Sequence, residues 1–260
     1  MNGSNRFISA SDKSKKLPLD IKAVLIDVDD TLLDFDRSSA LAMEKCLISR
    51  GYVFNDEMFA TFKRRNKELW HQVEQNTLTV GQLLERRWNI VFNDLKIKID
   101  GVEFEKDFTD KLFDIAVPME GAEDALGYLH ERYVVAAASN AMTNQQTNRL
   151  KISGLHRHID KLFASESLGV GKPSVEFFEK CLCGLNVDRR NVVMIGDSQR
   201  ADIAGACGAG IAAVWFDHKK SGETCDDAVA TITSLREIKE RCDFVPRSLT
   251  VTMRYRIKCG

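Results

Sequence analysis

The chain has 260 residues, with 37 basic and 38 acidic side chains and a formal net charge of −1. At about 150 residues per domain this is one large domain, or one domain with an insert. A near-zero charge, with 44% hydrophobic and 29% charged residues, predicts an ordinary globular protein with no nucleic-acid polymer as partner and no polyanionic tail.

The apolar runs at 23–26, 133–138, 192–195 and 211–216 are strand-sized. They fall far short of the roughly 20 residues that cross a bilayer, so no membrane partner is expected. No apolar stretch of the secretory type follows the start. The seven cysteines are scattered and contain no Cys-x-x-Cys, which suits reduced thiols in the cytoplasm; the spacing of Cys181 and Cys183 does not suit a zinc knuckle.

In chain order, residues 1–19 are rich in Ser, Asn and Lys and read as a disordered tail. Residues 22–28 form an apolar run ending in acids, as a buried parallel strand opening into a site would. From 36 to 115 the period becomes helical. Residues 37–50 form one helix, stopped by Gly51; Phe59, Phe62, Leu69 and Val73 mark a second. Val80, Leu83, Leu84, Trp88, Val91, Phe92 and Leu95 mark a third, and Phe104, Phe108, Leu112 and Ile115 a fourth.

Strands and helices then alternate: helix 120–132, strand 133–139, helix 144–153, strand 161–165 and helix 175–183 with Gly184 as its stop. Strand 191–196, helix 200–209 with Gly210 as its stop, strand 211–216 and a short strand at 229–232 follow. Ser234 and Glu237 form a capping-box pattern that opens a last helix to about Cys242. This alternation predicts an α/β fold, a parallel sheet covered on both faces and interrupted by a helical insert. In the 243–260 extension, residues 249–258 alternate apolar with Thr, Arg and Lys, a strand pattern with one basic face.

Two stretches place acids at strand ends. Asp27-Val28-Asp29-Asp30-Thr31 follows the first strand, and Gly196-Asp197-Ser198, with Asp202 beyond, follows a later one. Ligand sites of open parallel sheets lie at such ends. Carboxylates this close repel unless a cation sits among them, and Mg²⁺ suits all-oxygen ligands. Asp197 alone is equally a helix N-cap. Ser139-Asn140 closes another strand with a hydroxyl and backbone N–H groups, and Lys172-Pro173 offers a fixed positive charge before a helix.

The ordered set (Asp27-x-Asp29-x-Thr31, Ser139, Lys172-Pro173, Gly196-Asp197-Ser198 with Asp202) resembles the haloacid dehalogenase-like hydrolases over about residues 21–242. The resemblance implies a Rossmann-like core at 20–35 and 116–242, with a four-helix cap domain at 36–115. It implies a Mg²⁺-dependent phosphatase, acting on a small phosphorylated metabolite as a monomer or homodimer. Asp27 would be the nucleophile and Asp29 the acid and base. Asp27, the backbone carbonyl of Asp29 and Asp197 would hold the metal, with Asp202 close by. Ser139, Asn140 and Lys172 would hold the phosphate, and Thr31 would fix the loop. Many relatives have Thr-Asn-Gly where this chain has Ser139-Asn140-Ala141, a departure that restricts the backbone there.

Segments at 146–155, 165–173 and 209–216 look like the pyrimidine 5′-nucleotidases of this superfamily, and N-acylneuraminate-9-phosphatases share similar ones. These segments read as core helix faces that report ancestry more than pocket chemistry. Phe35, Trp70 and Trp88 are the aromatics available to stack on a base; Trp88 lies on an apolar stripe and reads as core, while Phe35 is the best placed to touch substrate. The alternatives are a sugar-phosphate phosphatase, a phosphomutase and a non-catalytic binding module on the same fold. A dehalogenase needs neither the paired acid nor Mg²⁺, so Asp29 and Asp197 argue against it.

Overall fold

The structure, a computed structural model, describes residues 20–75 and 77–241. The readings for 1–19, for the end of the last helix at Cys242 and for 243–260 with its alternating segment lie outside the described residues. Among them, no helix is long and apolar enough to cross a membrane.

β1 (Ala23–Ile26) leads into four consecutive helices, α1 (Phe35–Ile48), α2 (Asp56–Glu74), α3 (Val80–Leu95) and α4 (Gly101–Phe113). Then come α5 (Ala122–His130), β2 (Val134–Ser139), α6 (Thr143–Ile152), β3 (Lys161–Ala164), α7 (Ser165–Leu168) and α8 (Val175–Leu185). β4 (Val192–Gly196), β5 (Ala212–Phe216) and β6 (Ala230–Ile232) complete a sheet ordered β3-β2-β1-β4-β5-β6, parallel throughout. The predicted Rossmann-like α/β core with a four-helix insert is therefore what the chain forms.

The central strands β1, β4 and β5 carry no polar side chain because both faces are covered. Val24, Ile26, Val135, Val193 and Ile195 pack with Leu126 and Leu129 of α5 on one side. Ala23, Leu25, Ala136, Ala138 and Met194 pack with Phe177 and Phe178 of α8 on the other.

Each inserted helix starts on a side-chain cap. Asp34 accepts from Arg37 N at 2.8 Å, Asn55 from Met58 N at 3.0 Å and Asp100 from Val102 N at 2.8 Å, while Thr79 and Gln82 form a capping box. Such caps stabilise a helix by about 1 kcal/mol each. Between the helices lies an aromatic cluster. Trp88 stacks on Phe62 (centroids 4.8 Å apart, planes 11° apart) and meets Phe104 and Phe108 at 4.5 and 4.9 Å. Trp88 is fully buried, as its stripe predicts, and belongs to the core.

The chain leaves the sheet and returns to it side by side. Leu33 and Pro118 pair in an antiparallel bridge, Asp34 N donates to Val117 O at 2.8 Å, and Met119 N donates to Leu32 O at 2.9 Å.

Two helix expectations need correction. Gly184 does not stop α8, which runs to Leu185 and ends on Asn186 in the left-handed region. The glycine serves packing, because a Cβ there would lie 2.7 Å from the Phe163 ring. The helix expected over 200–209 opens as a π-helical turn, Gln199–Ala204, before the short helix Gly205–Gly208.

Candidate active site

Ile26 of β1 aligns with Ala137 of β2 and Ile195 of β4, so three strand ends open at one level. β1 also marks where strand order reverses, with β2 on one flank and β4 on the other, and a crevice forms there. Asp27 emerges into it, its N–H still bonded to Ile195 O at 2.9 Å and its side chain almost buried.

Lys172, only 5% exposed, uses all three of its donors: on Asp27 Oδ1 at 2.5 Å, on Asp202 Oδ1 at 2.7 Å and on Ala138 O at 2.7 Å. Its backbone is pinned by Asn140, whose Nδ2 donates to Lys172 O and whose Oδ1 accepts from Lys172 N, both at 2.8 Å. The side chain of Asn140 is thus given to Lys172.

Asp202 is brought back over the strand end by the wide turn after β4, in which Ile203 N donates to Ser198 O at 3.2 Å. Ser198 N donates to Asp202 Oδ2 at 3.0 Å, and Ser198, not Asp197, caps that turn through Ala201 N. Gly196 makes room: a Cβ there would lie 2.3 Å from Asp202 Oδ2.

Oxygen atoms of Asp27, Asp197 and Asp202 all lie within 4.8 Å of one another. Burial pushes the Asp27 carboxyl up to about 7, with Lys172 opposing and Asp202 and Asp29 reinforcing the rise. Burial, then the neighbouring Asp27 and Asp202, hold Asp197 well above the usual carboxylate range. Burial works against the charge of Lys172, but Asp202 and Asp27 keep it above its ordinary value. Three carboxyl groups share one ammonium, and ionising all three is disfavoured until a further cation joins them. The donors are all oxygens; the residues fit Mg²⁺. Beside them, Asp30, Asp197 and His218 also come within 4.8 Å, with Lys219 3.5 Å from Asp30.

Asp29 is held from α6. Its Oδ1 accepts from Arg149 Nη1 and its Oδ2 from Gln146 Nε2, both at 2.5 Å; Gln146 Nε2 also donates to Ser139 Oγ at 3.0 Å. The sequence reading took the 146–155 segment as a record of ancestry, whereas Gln146 and Arg149 reach the site. Their three-residue spacing, just after the Ser139 strand end, is the signal that points there. Thr31 is fully buried and its hydroxyl has no hydrogen-bond partner among the described residues, so packing is what ties it to the loop.

From the insert, Glu74 at the end of α2 approaches the mouth, with Ser198 Oγ 3.5 Å from its Oε1 and Arg200 Nη2 donating to its backbone O at 3.3 Å. Phe35 is half-buried against the aromatic cluster and donates its N–H to Asp30 Oδ1 at 3.1 Å. Trp70 packs on Leu69, Leu78 and Leu83.

Comparison with known proteins agrees with this geometry. The family model for haloacid dehalogenase-like hydrolases matches residues 21–210. The pyrimidine 5′-nucleotidase PynA of Streptococcus pneumoniae is 33% identical over 200 residues, covering 75% of this chain and 84% of PynA. The pyrimidine 5′-nucleotidase YjjG of Escherichia coli is 27% identical over 220 residues, 84% of this chain and 96% of YjjG. Among solved structures, the HAD-hydrolase YfnB of Bacillus subtilis bound to magnesium superposes with a TM-score of 0.81 at 26% identity, covering 86% of this chain and 99% of YfnB.

Proposed function

The chain belongs to the haloacid dehalogenase-like hydrolase family, and from that premise we propose that it is a Mg²⁺-dependent phosphatase whose substrates are nucleoside 5′-monophosphates, those with a pyrimidine base foremost. The observation that carries the reading is the cluster of Asp27, Asp197 and Asp202 around Lys172 at the open end of β1 and β4. The likeness to PynA and YjjG supports the nucleotide part. In this reading 20–35 and 116–242 form the catalytic core, and 36–115 is the cap over its mouth.

Asp27 attacks phosphorus with one carboxylate oxygen. The P–O bond to the ester oxygen breaks as the new one forms, giving an aspartyl-phosphate. Asp29 gives its proton to the departing alkoxide, then takes one from the water that attacks the phosphoenzyme, and Asp27 is regenerated with release of phosphate. Ser139 and Lys172 hold the phosphoryl oxygens where charge develops, and Asn140 fixes Lys172 for that task. Asp27, Asp197, Asp202 and the backbone carbonyl of Asp29 would hold Mg²⁺, which offsets the repulsion between nucleophile and anionic ester.

The test is hydrolysis of a phosphate panel with Mg²⁺ and with chelator, by the parent and by Asp27→Asn. We expect chelator to stop turnover, Asp27→Asn to lose at least about a thousandfold in kcat, and pyrimidine nucleoside monophosphates to lead in kcat/KM. Near-normal turnover by Asp27→Asn overturns the mechanism. Hexose phosphates in the lead overturn only the nucleotide part.

A further inference from the structure

Arg149 is 1% exposed and Gln146 fully buried. They lie one turn apart on α6 and together occupy both oxygens of Asp29. Arg149 does more than meet that carboxylate. Its Nε donates to Ile115 O at 3.2 Å, and the preceding residue, Asn148, donates from Nδ2 to Phe113 O at 2.8 Å. Phe113 and Ile115 belong to the stretch by which the chain returns from α4 to the sheet. One guanidinium therefore touches Asp29 and the cap's return segment together. Its Nη2 is buried with no hydrogen-bond partner among the described residues. A guanidinium taken so fully out of water, with one donor unmet, is a poor device for stability alone, since an apolar side chain of similar volume would pack there at lower cost.

We propose that Arg149 and Gln146 are positioning residues for Asp29: they hold its carboxyl toward α6 and, through Ile115, make its placement depend on where the cap's return segment lies. The proposal rests on the reading of Asp29 as the group that exchanges a proton with the ester oxygen and with water. It also separates the two oxygens. The bond from Arg149 to Oδ1 joins opposite charges and is the stronger, whereas the bond from Gln146 to Oδ2 has a neutral donor that also reaches Ser139. Oδ2 is thus the oxygen released to the substrate, while Arg149 keeps Oδ1 and with it the orientation of the group.

A comparison of leaving groups tests this on the full chain. p-Nitrophenolate departs without a proton, whereas the 5′-oxygen of uridine 5′-monophosphate needs one. The rate of phosphoenzyme formation is measured by rapid quench with both esters, for the parent, Asp29→Asn, Arg149→Met, Arg149→Lys and Gln146→Met. We expect Arg149→Met to slow the nucleotide reaction by about a hundredfold and to change the aryl reaction by less than about fivefold, with KM for both esters little altered. Arg149→Lys and Gln146→Met show the same split in smaller measure. They carry the test if Arg149→Met fails to fold, which its circular dichroism reads. If Asp29→Asn shows no split between the esters, the reading of Asp29 fails. If Asp29→Asn shows the split but the Arg149 and Gln146 variants slow both esters equally, or neither, the positioning proposal is overturned.

Discussion

The helical insert and the open ends of the central strands both bury charge, and they balance it in opposite ways. Inside the insert, Arg87 and Glu105, each less than a tenth exposed, meet as a fork: Nε to Oε2 at 2.9 Å and Nη2 to Oε1 at 2.5 Å. Asn66 takes the third guanidinium donor at 2.9 Å, Thr109 donates to Glu105 at 3.1 Å, and the rings of Phe62 and Phe108 lie 5.7 and 5.2 Å from the guanidinium. One positive charge answers one negative charge, and nothing is left over. At the ends of β1 and β4, Lys172 pairs with Asp27 and Asp202, and Asp197 lies within 4.8 Å of both. A balanced pair is closed and holds helices in register; an unbalanced group is destabilised until an outside charge completes it.

That contrast can be broken in the insert first. Arg87→Met strands the Glu105 carboxylate in an apolar interior and is expected to lower unfolding free energy by about 3–5 kcal/mol, read from urea denaturation. Replacing Glu105 by Met as well should restore most of the loss. At those strand ends, Lys172→Met removes the ammonium paired with Asp27 and Asp202 and should lower kcat by about a hundredfold or more, the scale of losing a group that stabilises developing charge. Steady-state kinetics with saturating Mg²⁺ reads it. The smallest effect has the opposite sign. Asp197→Asn removes one of the crowded buried carboxyls, so the metal-free protein should gain about 1 kcal/mol, a rise of a few degrees in Tm, while the Mg²⁺-induced rise expected of the parent should disappear. A lower Tm for metal-free Asp197→Asn would mean that the strand ends are not destabilised by their charges, and the contrast would fall.

Much of this was legible in the sequence because it depends on local spacing. Continuous apolar runs gave away strands covered on both faces, and the helical period across Val80, Leu83, Trp88, Val91 and Leu95 placed Trp88 in a core where it is fully buried. Asp27 and Asp197 could be set at strand ends because acids followed apolar runs directly. What escaped depends on partners far away in the chain. Gln146 and Arg149 read as part of a core helix face until Asp29, 117 and 120 residues distant, stands opposite. Asn140 reads as a phosphate ligand until its amide is seen on the backbone of Lys172, 32 residues on. Gly184 reads as a helix stop until the ring of Phe163 fills the space that a Cβ would need.

The bridge between Leu33 and Pro118 has a consequence for how such a protein can change. Because exit and re-entry form one antiparallel pair, the register of β1 against β2 and β4 does not depend on what is threaded between them. A short turn closing that pair would leave the sheet uninterrupted, and a different helical unit could be spliced in at the same two points. Evolution, or an engineer, can therefore exchange the helical insert without rebuilding the strand ends that carry Asp27 and Asp197.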